Sequence, residues 1–155
     1  MCGPCLHGQG QEEVKLQHVA HLQAVGILAG DKSGSSDPYC RLELAKERAK
    51  TRTLSATLSP EWRESVHLCW SRREESLLLV ELWDWNVAGK DDFLGSVQLQ
   101  LDLLAPEVTH ELWRPLEGGQ GHLNLLVTVT GTGGLRETVR QELEGKYVGW
   151  TVSTL

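Results

Sequence analysis

Two segments of the chain concentrate oxygen-bearing side chains. One reads Leu28-Ala-Gly-Asp31-Lys-Ser-Gly-Ser-Ser-Asp37-Pro-Tyr39, the other Trp83-Asp84-Trp85-Asn86-Val-Ala-Gly-Lys-Asp91-Asp92-Phe93-Leu-Gly95. Carboxylates crowded into short loops repel one another unless a cation or solvent relieves them. Ligands that are all oxygen suit a hard cation. Ca²⁺ accepts about six to eight oxygens in flexible geometry, whereas Mg²⁺ holds to an octahedron, so calcium is the favoured ion. Either segment alone reads at least as well as an ordinary turn, because Asp, Asn, Ser and Gly are what turns use. The two together are more specific, provided that the fold brings them to one place.

The sequence between and around them is strand-like. Val14 to Val25 is apolar without a clean period. Pro38 to Leu44 alternates, with Tyr39, Arg41 and Glu43 on one face and Cys40, Leu42 and Leu44 on the other. A polar strand is expected over Lys46 to Leu54, then Trp62 to Trp70 after the Ser59-Pro60 break. An apolar run follows over Ser76 to Trp83. Gly95 to Leu103 places Val97, Leu99 and Leu101 on one face. His110 to Leu116 and His122 to Thr130 complete the set. Short strands at close spacing, separated by turn clusters, predict an all-β, eight-stranded antiparallel Greek-key β-sandwich. Residues 1–13 read as a disordered tail and 14–131 as the domain. In 132–155 a short C-terminal helix is expected over Leu135 to Leu143. Lys146 to Thr154 reads as a further strand that completes the sandwich or leads into a following domain.

The loop motifs carry a family resemblance. Gly30-Asp31-Lys-Ser-Gly34-Ser-Ser36-Asp37-Pro38-Tyr39 resembles the first calcium loop of C2 domains. Leu58-Ser-Pro60-Glu-Trp62-Arg-Glu64 is similar to their Asn-Pro-x-Trp-x-Glu element, with Ser59 in place of Asn. Asp84-Trp-Asn86 followed by Asp92-Phe-Leu-Gly95 resembles the third loop. The segments Gly89 to Gly95 and Gly121 to Thr130 most resemble the multiple-C2-and-transmembrane-domain proteins. The resemblance implies the C2 fold, with Ca²⁺ held by Asp31, Asp37, Asp84, Asn86 and Asp92. Position 86 is an aspartate in most such domains. The amide of Asn86 still coordinates calcium but brings no charge. Four carboxylates then stand where five are usual, and weaker binding, or one well-held ion, is expected.

Bound calcium makes an acidic loop face neutral or positive, and a lipid phosphate or phosphatidylserine carboxylate replaces water on the ion. The implied function is calcium-dependent binding of anionic phospholipid membrane, in trafficking or calcium signalling. The alternative is a calcium-independent protein-interaction module with a degenerate metal site. Trp85 and Val87 sit between the third-loop ligands, and Trp85 either enters the headgroup interface or packs back onto the sandwich. Lys32 at the first-loop apex would touch headgroups. Lys46, Arg48, Lys50 and Arg52 alternate along a predicted strand, giving either one basic stripe for phosphoinositide or a solvated face.

Net charge is −6, from 15 basic and 21 acidic residues, which argues against nucleic acid as a partner. No run of about 18 apolar residues is present, so membrane contact is expected to be peripheral, from a cytoplasmic setting with reduced cysteines. The parent protein is expected to be longer, with neighbouring C2 domains and a membrane anchor. Cys2-Gly3-Pro4-Cys5 spells a thioredoxin-like tetrad, but no strand precedes it to build that site. No nucleophile–base pair or phosphate loop is evident, and no enzyme activity is expected.

Overall fold

The computed structural model describes residues 14–30, 32–71 and 74–131. Eight strands form in that span: β1 Val14–Val25, β2 Pro38–Leu44, β3 Glu47–Lys50, β4 Glu61–Ser71, β5 Leu77–Asp84, β6 Asp92–Gln100, β7 Thr109–Pro115 and β8 His122–Gly131. They make two antiparallel four-stranded sheets, ordered β4-β1-β8-β7 and β3-β2-β5-β6. The connections β1–β2, β3–β4, β4–β5 and β6–β7 cross between sheets, which is the expected Greek-key sandwich. The helix and extra strand expected in 132–155, and the N-terminal tail, lie outside the described residues.

Alternation along the strands builds the core. Cys40, Leu42 and Leu44 of β2, Leu78, Val80 and Leu82 of β5, and Val97 and Leu99 of β6 face Trp62, Leu68 and Trp70 of β4 and Leu123, Leu125, Val127 and Val129 of β8. Trp62 and Leu125 are fully buried. The mixed period of β1 has a local cause. Its register shifts after Ala20 against both neighbours, and His21 takes a left-handed φ of 51°. This bulge re-phases the strand, so that Val19, Leu22 and Ala24 all enter the core while His21 stays half-buried. Gly95 serves a second shift, between Leu82 and Trp83 of the partner strand. Its φ is +136°, and a Cβ there would meet the Leu116 Cβ at 2.8 Å.

Three expectations are corrected. β3 is Glu47–Lys50 only; Lys46 lies in the turn after Leu44, and beyond Lys50 the buried Thr51 hydroxyl takes over the ladder by accepting the Cys40 N–H at 2.9 Å. The strand expected to run to Leu103 ends at Gln100, and Leu101–Leu103 forms a 3₁₀ turn that buries Leu101. Cys69 is disulfide-bonded rather than a free thiol. Cys40 is a buried thiol whose pKa is pushed far above its ordinary range by burial.

Trp62 is the largest fully buried side chain, and its indole Nε1 has no hydrogen-bond partner among the described residues. Trp62→Ala is expected to cost about 3–5 kcal/mol. Trp62→Phe is expected to cost far less, because it also removes an unsatisfied donor. Denaturant unfolding of both variants checks the order; equal losses would contradict it.

Candidate functional site

All loops at one end of the sandwich join the two sheets or their neighbouring strands there: 26–37, 51–60, 85–91 and 116–121. The ladder pairs Pro38 with Asp84 and Asp84 with Asp92, so Asp37, Asp84 and Asp92 fall in one row at that rim. Asp84 is 1% exposed. Its Oδ1 accepts the Asp37 backbone N–H at 2.6 Å. The Asp37 carboxylate Oδ1 accepts the Ala56 N–H at 2.7 Å, and its carbonyl accepts the Trp85 N–H at 2.9 Å. One residue thereby ties three loops together.

The first loop is closed by Ser36, which the sequence reading passed over. Its buried hydroxyl donates to the Leu28 carbonyl at 2.9 Å and accepts the Gly30 N–H at 2.8 Å. Gly30 then lies directly against Asp84, whose Oδ2 occupies the space a Cβ at Gly30 would need. The requirement is for a bare backbone beside a carboxylate. Asp31, the remaining first-loop aspartate, lies outside the described residues.

The third loop holds a different arrangement from the one expected. Asn86 uses its amide N–H groups, donating to the Lys90 carbonyl at 2.8 Å and to Asp92 Oδ2 at 3.1 Å. Asp91, not singled out from the sequence, accepts the Asn86 backbone N–H at 3.1 Å and the Tyr39 hydroxyl. These bonds, the Tyr39 one foremost, hold its carboxyl below the usual carboxylate range. Burial first, then the same bond to Asp91, raises the Tyr39 phenol. Trp85 and Val87 are exposed, at 43% and 86%. Lys32 is exposed at the first-loop apex.

An all-oxygen donor set at an exposed rim, with glycine backbone beside the buried carboxylate, suits a hard cation. Among the described residues no three His, Cys, Asp or Glu side chains already form a metal cluster.

The basic stripe is redrawn. Arg48, Lys50 and Arg52 do lie exposed on alternate positions, but Arg48 pairs with Glu43 at 3.4 Å and Arg52 with Glu64 at 3.9 Å. Lys46 is displaced into the hairpin turn. The cation that register places opposite Lys50 is Arg41 of β2. Lys50 Nζ sits 4.2 Å from the Tyr39 ring centroid, and the Arg41 guanidinium 4.7 Å from that of Trp83. Trp83 meets Phe93 edge-on at 5.3 Å. Alternation in Pro38 to Leu44 already put Tyr39 and Arg41 on one face; the cross-strand register that adds Lys50 and Trp83 was the missing signal.

The C2 domain family model matches residues 15–116. The chain belongs to the C2 domain family. Among curated relatives, this C2 domain is 38% identical over 109 residues to multiple C2 and transmembrane domain-containing protein 1 of Mus musculus, covering 70% of this chain and 12% of that protein. RasGAP-activating-like protein 1 of Homo sapiens is 42% identical over 77 residues, covering 50% and 10%. The chain thus spans 12% or less of the length of these relatives. The calcium-bound C2A and C2B domains of Extended-Synaptotagmin 2 superpose with a TM-score of 0.67 at 26% identity, over 74% of this chain and 45% of that one. The C2A domain of plant Extended Synaptotagmin 1 gives 0.68 at 24% identity over 77% and 97%, a likeness of fold.

Gly30→Ala forces a methyl group into the Asp84 carboxylate. It is expected to destabilise the C2 domain by about 1–3 kcal/mol, read as a lowered denaturant midpoint. An unchanged midpoint would show that the loop does not press on Asp84.

Proposed function

We propose that this C2 domain binds calcium at its loop rim and so docks on anionic phospholipid membrane. The observation that carries the reading is the cross-linked row of Asp37, Asp84 and Asp92, flanked by exposed Trp85 and Val87. Asp31 and the Asn86 amide would complete the ligand set. When bound, calcium supplies positive charge and open coordination positions for a lipid phosphate or carboxylate.

The chain's own residues supply the rest. Two roles fall to Asp37 and Asp84: they fix loop spacing through their N–H bonds and keep carboxylate charge at the rim. Trp85 offers a ring for the headgroup interface. Lys32 and the Arg41–Lys50 pair add attraction of about 1 kcal/mol per charge close to an anionic surface. The setting proposed is cytoplasmic and peripheral, within a longer protein carrying further C2 domains. That protein would act in membrane trafficking or calcium signalling, and this domain would bind rather than catalyse. A Ca²⁺-bound relative of similar fold supports the choice of ion.

A second reading, a calcium-independent interaction module, draws on one specific observation. The Asn86 NH₂ already donates to Asp92 and so stands in for part of a cation's role. Turning that amide to present its oxygen costs two hydrogen bonds, each worth about 1 kcal/mol.

Co-sedimentation with phosphatidylserine vesicles, with calcium or with chelator, separates the two. The first reading expects pelleting only with calcium; equal pelleting in both conditions, or none, would refute it. Calorimetry with calcium is expected to show Asp37→Asn and Asp84→Asn each weakening binding by about tenfold or more, roughly 1.4 kcal/mol. Asn86→Asp is expected to strengthen it by a similar factor. If Asn86→Asp leaves affinity unchanged, the amide is not the limiting ligand.

A further inference from the structure

The bonds of Asp37 reach the third loop only at its entry, through the Asp84 carboxylate and the Trp85 N–H. Asp92 stands at the exit. Its carboxylate is tied within the loop, to the Asn86 amide. Asp91 beside it is tied to Tyr39 of β2, not to the first loop. Beyond the register shift at Leu82 only two pairs, Trp83 with Phe93 and Asp84 with Asp92, continue the ladder between β5 and β6. A strand end held by so few pairs is prone to fray. A further contact is needed to fix Asp92 at a set distance from the first loop.

The 116–121 turn between β7 and β8 touches both. Glu117 exchanges two backbone hydrogen bonds with Ser96 of β6, each 2.9 Å long. They join the edge strand of one sheet to the chain leaving the edge strand of the other. Gly119 lies against β6 just past Asp92, where the Leu94 carbonyl fills the place of a Cβ. The turn closes where the Leu116 N–H donates to the Gly121 carbonyl at 3.0 Å. Gly121, at φ +90°, lies against the start of the first loop, and a Cβ there would stand 2.6 Å from the Gly26 carbonyl carbon. No side chain fits either place. One short turn therefore makes backbone-to-backbone contact with both calcium loops, and these contacts depend on no rotamer.

We propose that the 116–121 turn is a positioning strap, which clamps the exit of the third loop to the entry of the first and so sets the span between Asp92 and Asp37. The inference rests on the calcium reading above and deepens it. Calcium ligands stand about 2.3–2.6 Å from the ion, and a site whose supporting contacts let it drift by about 1 Å fails. The strap supplies no ligand. It acts on affinity through the loops it holds.

The test compares Gly119→Ala, in the full chain, with Val127→Ala, a buried core substitution five residues into β8 from its rim end. Both are expected to lower the denaturant midpoint. Only Gly119→Ala is expected to weaken calcium binding, by about tenfold in calorimetry, under conditions where both variants are folded. Amide hydrogen exchange in chelator reads the strap without calcium. The Gly30 and Asn86 N–H groups, bonded within the first and third loops, are expected to exchange about tenfold faster in Gly119→Ala, with those of Leu42 and Val80 unchanged.

Equal exchange at Gly30 and Asn86 in wild type and Gly119→Ala overturns the strap. So does faster exchange with unchanged calcium affinity, or an equal loss of affinity in Val127→Ala. If wild type binds no calcium while Gly119→Ala still speeds those two amides, the calcium reading falls and the strap stands. Should Gly119→Ala fail to fold, Gly118→Ala carries the same comparison with a smaller effect, since its Cβ would meet only the Phe93 ring edge, at 3.2 Å.

Discussion

The rim depends on one residue bonding in three directions. Asp37 donates its N–H to Asp84, while its carboxylate accepts the Ala56 N–H and its carbonyl the Trp85 N–H. The three loops that meet there differ in length and composition, and it is these long-range bonds that fix their spacing. Hydrogen bonds to a carboxylate are stronger than neutral ones, and a buried acceptor such as Asp84 cannot fall back on water. Loss of any of these bonds would free a loop and separate the acidic side chains that the rim holds together.

The sandwich below exists to hold that constraint still. Loop contacts of this kind need strand ends that do not slip, and β-register is fixed where one face is buried. Leu42, Val80 and Val97, all buried, lock β2, β5 and β6 in register, which places Pro38, Asp84 and Asp92 in one row. Gly95 makes the bulge that aligns Phe93 with Trp83. Core packing therefore reaches function through register.

Charge is arranged on two surfaces that meet at the third loop. The rim gathers carboxylates. The adjoining sheet face gathers Arg41 and Lys50 over Tyr39 and Trp83, cations stabilised by aromatic faces. Asn86 and Asp91 sit at the junction and each satisfies a neighbour: Asn86 answers Asp92, and Asp91 answers Tyr39 and the Asn86 N–H. In the described residues both surfaces are thus partly neutralised from within the loop.

The eight strands, the antiparallel sandwich and the loops bearing the aspartates were legible in the sequence, because period-two burial is a local property that neighbouring residues report. The motifs Ser36-Asp37-Pro38-Tyr39 and Asp92-Phe-Leu-Gly95 likewise identified the family without coordinates. Tertiary structure alone decided which long-range partners each side chain meets. The bulge at His21 shows only in the register of β1 against its two neighbouring strands. Glu43 and Glu64 pair with Arg48 and Arg52, and Arg41 lies opposite Lys50, because cross-strand neighbours are set by register and not by sequence distance. Asp91 turns from the rim for the same reason: the hydroxyl that draws it is 52 residues away along the chain, and only folding brings the two within bonding distance.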